Sequence, residues 1–269
     1  MIDLISSTSE PRCVVYTCLF GFSEQFNDFA YERDDRIDYV CFTDDPDLRS
    51  DHWQIVLRSC ELLDATRAAK RIKALPHRFL PQYDWSLYLD NTVRLKSSPR
   101  DLFERFLARA ESPLACFKHP WRDCVYDEAE AVLGLGMDDP TRVQRQMAFY
   151  RYLGYPAHAG LAKSTILLRR HRDPALITVM ERWHEQVLYH SLRDQLSLNP
   201  VTWFDRFTIA YLEHDFLDFE FLEWPVIKND VRIPRDFDDV RYRELNPGVT
   251  GNLRKHYLLN GAAGQRAYK

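Results

Sequence analysis

Residues 64–92, DATRAAKRIKALPHRFLPQYDWSLYLDNT, decide the fold. Asp64 stands as an N-cap, good helix formers run through to Leu75, and Pro76 stops the helix. Ala68, Ile72 and Leu75 recur at i, i+4 and i+7, which gives the helix one apolar face. A short polar interval then leads into Trp85–Leu89 (WSLYL), an apolar, aromatic run of strand length that ends at Asp90. A helix feeding a buried strand that stops on an acid is one unit of a layered α/β fold.

The same texture extends in both directions. Cys13–Leu19 (CVVYTCL) reads as a strand ending at Phe20-Gly21, and Ile37–Thr43 (IDYVCFT) as one ending at Asp44-Asp45. Trp53–Leu57 (WQIVL), Thr165–Leu168 and Phe219–Leu222 read as further strands. Helices are predicted from Pro99 to Ala110, from Pro140 to Leu153 with Gly154 as the C′ residue, and from Pro174 to about Tyr189. This alternation predicts an α/β fold with a mainly parallel twisted sheet flanked by helices. From about Arg235 the texture changes, so a domain over 1–234 and a short helical tail over 235–269 are expected.

At 269 residues, with 45% hydrophobic and 28% charged residues, the chain can bury a core, which excludes disordered and fibrous classes. Lys and Arg number 36 against 40 Asp and Glu, so no global pull toward nucleic acid exists and any anion site is local. The most apolar early stretch, Cys13 to Phe22, is ten residues long, short of the roughly 20 that a membrane span needs. MIDLISSTSEPR lacks the basic-then-apolar order of a signal peptide, so a cytoplasmic protein is expected. Six cysteines without a CxxC pair or clustering with His read as isolated buried thiols.

Ligands of open α/β sheets sit at the carboxyl ends of strands. Asp90 is the sharpest residue there, because a strand-end carboxylate is placed to hold a divalent cation that bridges phosphate oxygens. An Asx turn with Asn91 is the alternative. Arg67, Lys70 and Arg71 share one helix face and would converge on a phosphate or carboxylate, or else form a solvated basic face. Neither GxGxxG nor GxxxxGK[ST] occurs, nor do GxSxG or HExxH.

Residues 118–128, KHPWRDCVYDE, gather His119, Arg122 and Glu128. His119 is a candidate for metal, phosphate or sugar hydroxyl, or a loop histidine against Trp121. Asp194, in a helix-poor interval with Arg193 and Gln195, is a candidate general base or sugar-hydroxyl binder, with a helix cap or a surface acid as the alternative. Trp121, Trp203, Phe204 and Trp224 are able to stack on sugars but carry no assignment, since aromatics make up 13% of the chain and most belong in the core. His158 is likewise unassigned.

The strings VVYTCLFG, YVCFTDD, TRAAKRIKALPHRFLPQYDWSLYLDNTVRLK, KHPWRDCVYDEA and RDQ resemble a family of glycosyltransferase-like proteins of bacterial polysaccharide clusters and plant mucilage-related proteins. The resemblance spans Val14 to Gln195. It implies a GT-A type fold in which Thr17, Phe20, Gly21 and Asp44 line a nucleotide pocket. Arg67, Lys70 and Lys73 would approach the diphosphate or base, and Asp90 would stand at the metal motif holding Mn²⁺ or Mg²⁺. Asn91, His119, Arg122 and Glu128 would join the substrate site, with Asp194 and Gln195 as an Asp-Gln pair near the acceptor or reacting carbon. Tyr88 and Thr92 stand where a full Asp-x-Asp would need a second acid, so strict metal dependence is not implied.

The tail, with HYLLNGAAGQRAY, is similar to HYLxxGxxEGR-like modules on bacterial surface-polysaccharide glycosyltransferases, Ala263-Gly264-Gln265-Arg266 replacing the usual ending. The expected activity is transfer of a sugar from a nucleotide-diphosphate donor, UDP-sugar first, to a hydroxyl of a cell-surface or capsular glycan. Peripheral contact with the inner membrane face would come through a lipid-linked acceptor. The alternative is a non-catalytic sugar-nucleotide or glycan-binding module. A nucleotidyltransferase ranks last, because only Gly21 stands where a Gly-rich loop would be.

Overall fold

A seven-stranded sheet in the order β3-β2-β1-β4-β7-β6-β8 organises the chain. Its strands are β1 (Cys13–Leu19), β2 (Ile37–Thr43), β3 (Gln54–Leu57), β4 (Trp85–Leu89), β6 (Leu114–Lys118), β7 (Ala162–Arg169) and β8 (Ala210–Leu212). A two-stranded ribbon pairs β5 (Arg94–Leu95) with β9 (Leu222–Glu223). The computed structural model describes residues 10–21, 24–29, 34–226, 233–234, 236–261 and 267–268. Residues 1–9, Phe22, the boundary residue Arg235 and the tail motif Ala263–Arg266 therefore lie outside the described residues.

The sheet is mainly parallel and flanked by helices, as the alternation of elements predicts. β1 pairs in parallel with β2 and β4, β2 with β3, and β6 with β8. β7 runs antiparallel to both neighbours, β4 and β6. It is longer than the expected Thr165–Leu168 and buried along its whole length. Its reversed direction brings Lys163, Ser164 and Thr165, at its beginning, to the edge where β4 ends, and Asp90 N donates to Thr165 O at 2.9 Å.

Alternate residues of the strands feed two cores. Val14, Tyr16 and Tyr88 face α1 (Ala65–Ala74) and α6 (Pro174–Tyr189), meeting Ala68, Ile72, Leu176, Met180 and Trp183. Val15, Leu19, Leu87 and Leu89 face the other side, against Leu102, Phe103, Leu107 and the Phe216–Phe221 segment. A third cluster joins α4 (Val125–Gly134), α5 (Pro140–Tyr152), Tyr155, Leu161 and Leu196.

Local chemistry sets the ends of α1. The Asp64 side chain accepts from Arg67 N, and α2 (Pro76–Phe79) begins at the proline that ends the preceding helix. The helix expected over 99–110 is a short α3 (Pro99–Leu102) that widens into a π-helical turn, Phe103–Leu107, closed by Ala108 N on Phe103 O at 2.8 Å. The wider turn lets Leu102, Phe103 and Leu107 all enter the core. The strand expected over 219–222 shrinks to β9, because Phe219 and Phe221 are used as core side chains.

The interval around Asp194 is not helix-poor: α7 (Gln195–Phe204) starts there and carries Pro200 inside it. Burial overrides the Asn199-Pro200 break signal, since residues 195–202 are all buried. Asn199 Oδ1 accepts from Ala162 N at 2.7 Å, and its Nδ2 donates to Tyr211 Oη at 2.7 Å. The tail forms α8 (Asp239–Leu245) and α9 (Leu253–His256), then a π-helical turn, Tyr257–Gly261. Phe237, Tyr242, Val249, Leu253 and Tyr257 pack together, and Lys255 bridges Asp45 and Asp47 beyond β2 at 2.7 and 3.0 Å. Among the described residues no helix is long and apolar enough to cross a membrane.

Candidate active site

A cleft of about 910 Å³ opens where β1 and β4 end and β7 begins. Phe20, Lys70, Asp90, Asn91, His119, Arg122, Glu128, Asp194 and Gln195 line it, so nine sequence-derived candidates from distant segments meet. Its electrostatic centre lies just beneath the floor. Lys73, with a side chain only 1% exposed, places Nζ 2.7 Å from Asp194 Oδ2 and 3.4 Å from Asp90 Oδ1. Lys70 Nζ is 2.9 Å from Asp194 Oδ1. One carboxylate thus spans two ammonium groups, and one ammonium spans two carboxylates.

Lys73 is held from behind. Tyr16 Oη and Arg169 Nη1 both donate to Lys73 O at 2.8 Å, and Arg169 Nη2 also donates to Tyr16 Oη. The Lys73 ammonium sits 4.8 Å over the Tyr88 ring. Asp194 is fixed by Trp183 Nε1 donating to its carbonyl at 2.8 Å and by Ser164 Oγ donating to Oδ2 at 3.2 Å. Its carboxylate makes no capping bond to α7 despite its N-cap position, so the two lysines are its main partners.

Burial raises the Asp194 carboxyl, but Lys70 and Lys73 outweigh it and hold the group far below the ordinary carboxylate range. Lys70 is correspondingly raised: burial lowers it, and Asp194 with Asp90 more than reverses this. Asp194 is therefore an ionised, doubly paired group and a poor proton acceptor. His119 is pushed down to about 4 by burial, then by Arg122 and Lys163. Its Nδ1 accepts from Arg122 N at 3.0 Å, which leaves the ring proton on Nε2, 3.8 Å from Glu128 Oε2. Glu128, 6% exposed, takes Arg122 Nε at 2.5 Å.

Asp90 is not an Asx-turn cap. Its Oδ1 accepts from Tyr88 Oη at 2.8 Å, its side chain is 32% exposed, and its Oδ2 makes no hydrogen bond to the described residues. The Asn91 amide is spent on Asn27 N and Gln25 O, so it braces the turn. One open carboxylate oxygen beside a cleft fits a divalent ion held chiefly by substrate phosphates, and does not make an all-protein metal cage. Among the described residues Gln195 Nε2 and Arg193 Nε are buried donors without a hydrogen-bond partner, both on cleft residues.

Other expectations are corrected. Thr17 is 2% exposed within β1, and its hydroxyl does not reach the cleft. Arg67 turns away to Asp64 Oδ2 and to the carbonyls of Val187 and His190 that end α6, at 2.7, 3.0 and 3.1 Å, while Arg71 pairs with Glu61. The converging cations of α1 are therefore Lys70 and Lys73, not the Arg67-Lys70-Arg71 face. Gly21 N donates to Asp44 Oδ1 at 3.0 Å, and Asp44 lines a neighbouring cavity of about 280 Å³ with Lys255. Trp121 and Trp224 stand at the cleft, whereas Trp203 and Phe204 pack around Tyr155.

Lys163, Ser164 and Tyr88 are the site residues that sequence reasoning missed. Lys163 Nζ lies 4.1 Å over the Trp224 ring, and burial lowers its ammonium against the pull of Asp90. Tyr88 carried a legible signal, two residues before Asp90 on the same strand face. Lys163 carried none, since it stands at the start of a strand.

Among solved structures the chain is similar to mouse xyloside xylosyltransferase 1, with 9% identity, a TM-score of 0.42, and 75% of this chain and 84% of that chain covered. It is also similar to the WbbM bifunctional glycosyltransferase, with 9% identity, a TM-score of 0.42, and 76% of this chain and 39% of that chain covered. An Arabidopsis thaliana protein described as "Probable hexosyltransferase MUCI70" is 30% identical over 159 residues, which are 55% of this chain and 27% of that protein's length. Residues 8–210, which carry every cleft side chain discussed from Phe20 to Gln195, match one family model, and the chain belongs to the TOD1/MUCI70 glycosyltransferase-like domain family.

Proposed function

We propose that the cleft is the donor and transfer site of a GT-A type glycosyltransferase, which moves a hexosyl or related sugar from a nucleoside-diphosphate sugar, UDP-sugar first, to a glycan hydroxyl. The observation that carries this reading is the meeting of one open strand-end carboxylate, Asp90, with cationic side chains and unsatisfied buried donors in one cleft. A leaving diphosphate develops negative charge, and preorganised cations and N–H donors aimed at it stabilise the transition state. Lys70, Lys163, Arg193 and Gln195 are the groups this chain offers for that purpose. Asp90 would hold Mn²⁺ or Mg²⁺ together with the donor phosphates, and the bound ion would supply further neutralisation of the diphosphate.

Asp194 serves in this reading through its charge. Doubly paired and ionised, it orients Lys70 and Lys73 and offsets the positive character that grows on the sugar carbon, and it does not remove the acceptor proton. Trp121 and Trp224, 6.4 Å apart at the cleft, offer faces for sugar rings. The likeness of the tail supports a cell-surface or capsular polysaccharide as acceptor class.

The test is release of nucleoside diphosphate from UDP-, GDP- and dTDP-sugars, run with thermal shift and with or without Mn²⁺, on the native chain and on Asp90→Ala. One donor class should be cleaved and should raise the melting point, and both effects should fall away in Asp90→Ala. Binding without cleavage or transfer would favour a sugar-nucleotide or glycan-binding module, which the single acid in place of Asp-x-Asp permits. No shift and no cleavage with any donor would overturn the assignment.

A further inference from the structure

Beside the cleft, the start of α4 and the loop before β7 bring unlike donor groups together. Cys124, Asp127 and His158 offer one sulfur, one carboxylate oxygen and one imidazole nitrogen, all within 4.8 Å of one another. Sequence spacing hides the group, since the histidine lies far along the chain from the other two. Cys124 is the N-cap residue of α4 and makes no capping hydrogen bond, while Asp127 follows in the first turn of the same helix.

The second segment is held in register with the first. Gly160 N donates to Asp123 O at 2.9 Å, and His158 adopts a left-handed φ of 55° that a non-glycine residue rarely takes. His158 Nδ1 lies 2.8 Å from Asp123 Oδ1. Nε2 is then the ring nitrogen left for another partner, the carboxylate–imidazole–metal order seen where a second carboxylate orients a ligating histidine. A cavity of about 440 Å³, lined by Asp123, Asp127, His158 and Gly160, gives the carboxylate and imidazole solvent access, while Cys124 is buried.

We propose that Cys124, Asp127 and His158 bind one zinc-class divalent cation, with Asp123 as the positioning residue for His158. A thiolate with an imidazole selects Zn²⁺ or Co²⁺ over Mg²⁺ and Mn²⁺, which take oxygen ligands. On binding, the Cys124 S–H bond breaks, its proton passes to solvent, and the sulfur donates its electron pair to the metal. Three protein ligands leave a fourth position toward the cavity for water. The ion would clip the 156–160 loop to the segment that carries Arg122 and Glu128 into the main cleft. This site is separate from any metal shared with a donor at Asp90 and does not rest on the transferase reading.

The test is titration of the full chain, stripped by chelator, with Co²⁺ and then Zn²⁺. One equivalent of Co²⁺ should give a thiolate-to-cobalt charge-transfer band that Zn²⁺ abolishes by displacement. Cys124→Ser should remove the band. His158→Ala and Asp127→Ala, at exposed positions that leave the core intact, should weaken binding at least tenfold without a loss of folded structure by circular dichroism. Asp123→Asn should weaken it by about 10- to 100-fold. Absence of the band, its persistence in Cys124→Ser, an unchanged cobalt affinity in His158→Ala, or loss of the band in the remote Cys60→Ser would overturn the proposal.

Discussion

Lys73 and Asp194 form a buried ion pair, Nζ to Oδ2 at 2.7 Å, that ties the last turn of α1 to the N-cap residue of α7 on one side of the sheet. The same ammonium reaches Asp90 at 3.4 Å, so the geometry of the cleft floor depends on one side chain. Lys73→Met removes that charge and leaves Asp194, 5% exposed, with Lys70 as its one ion-pair partner among the described residues. Breaking one partner of a buried pair leaves uncompensated charge, so a loss of about 3–5 kcal/mol is expected in urea unfolding. A loss under about 1 kcal/mol would show that the pair is not the brace described here.

Arg122 and Glu128 form a second such pair, between a loop residue and a buried helix carboxylate. Arg122→Met leaves Glu128 with His119 Nε2 at 3.8 Å and the longer-range pull of Lys163, and should cost about 3 kcal/mol. Adding Glu128→Gln should recover much of that cost, because a neutral amide no longer needs the cation. A double-mutant cycle by chemical denaturation measures the coupling, and simple additivity would contradict it.

Gly21 carries a backbone requirement at the end of β1. Its φ is +74°, and a Cβ built there would lie 2.6 Å from Ala65 Cβ at the start of α1. Gly21→Ala therefore meets strain and a clash together, with an expected cost of about 1–3 kcal/mol by thermal or urea unfolding. Retention of full stability would mean that α1 moves away freely, against its Asp64 cap.

Acid should destabilise the fold before carboxylates titrate. Burial, the first cause in each case, holds His119, His171 and His184 at about 4 in the folded state, below the ordinary value of 6.5. Between those values the unfolded chain binds more protons than the folded one, so stability falls as pH drops from 6.5 toward 4. Each histidine contributes up to about 1.4 kcal/mol per pH unit in that window. Urea midpoints at pH 7 and pH 5 check the slope, and equal midpoints would refute it.

Much of this was legible without coordinates. The α1 cap and stop, the β-branched strands and the acid after β4 are local signals that singled out Lys70 and Asp90, while the family resemblance joined His119, Arg122, Glu128, Asp194 and Gln195 to them in one candidate set that the cleft brings together. Helical spacing also put Arg67, Lys70 and Arg71 on one face, but spacing says nothing of where a long side chain finds its partner. Arg67 found the carbonyl ends of α6, and Arg71 found Glu61.

What the sequence determined by itself was the alternation of helix and strand, the chemistry at the strand ends and the family, because each rests on runs of neighbouring residues. Tertiary structure alone decided that β7 runs antiparallel and delivers Lys163 and Ser164 to the edge where Asp90 stands. It alone made Asp194 a paired, ionised group instead of a base, and set His158 against Cys124 and Asp127. The reason is physical: ion pairs, burial and ligand geometry act over a few ångströms in space between segments far apart in the chain, and no local periodicity encodes that distance.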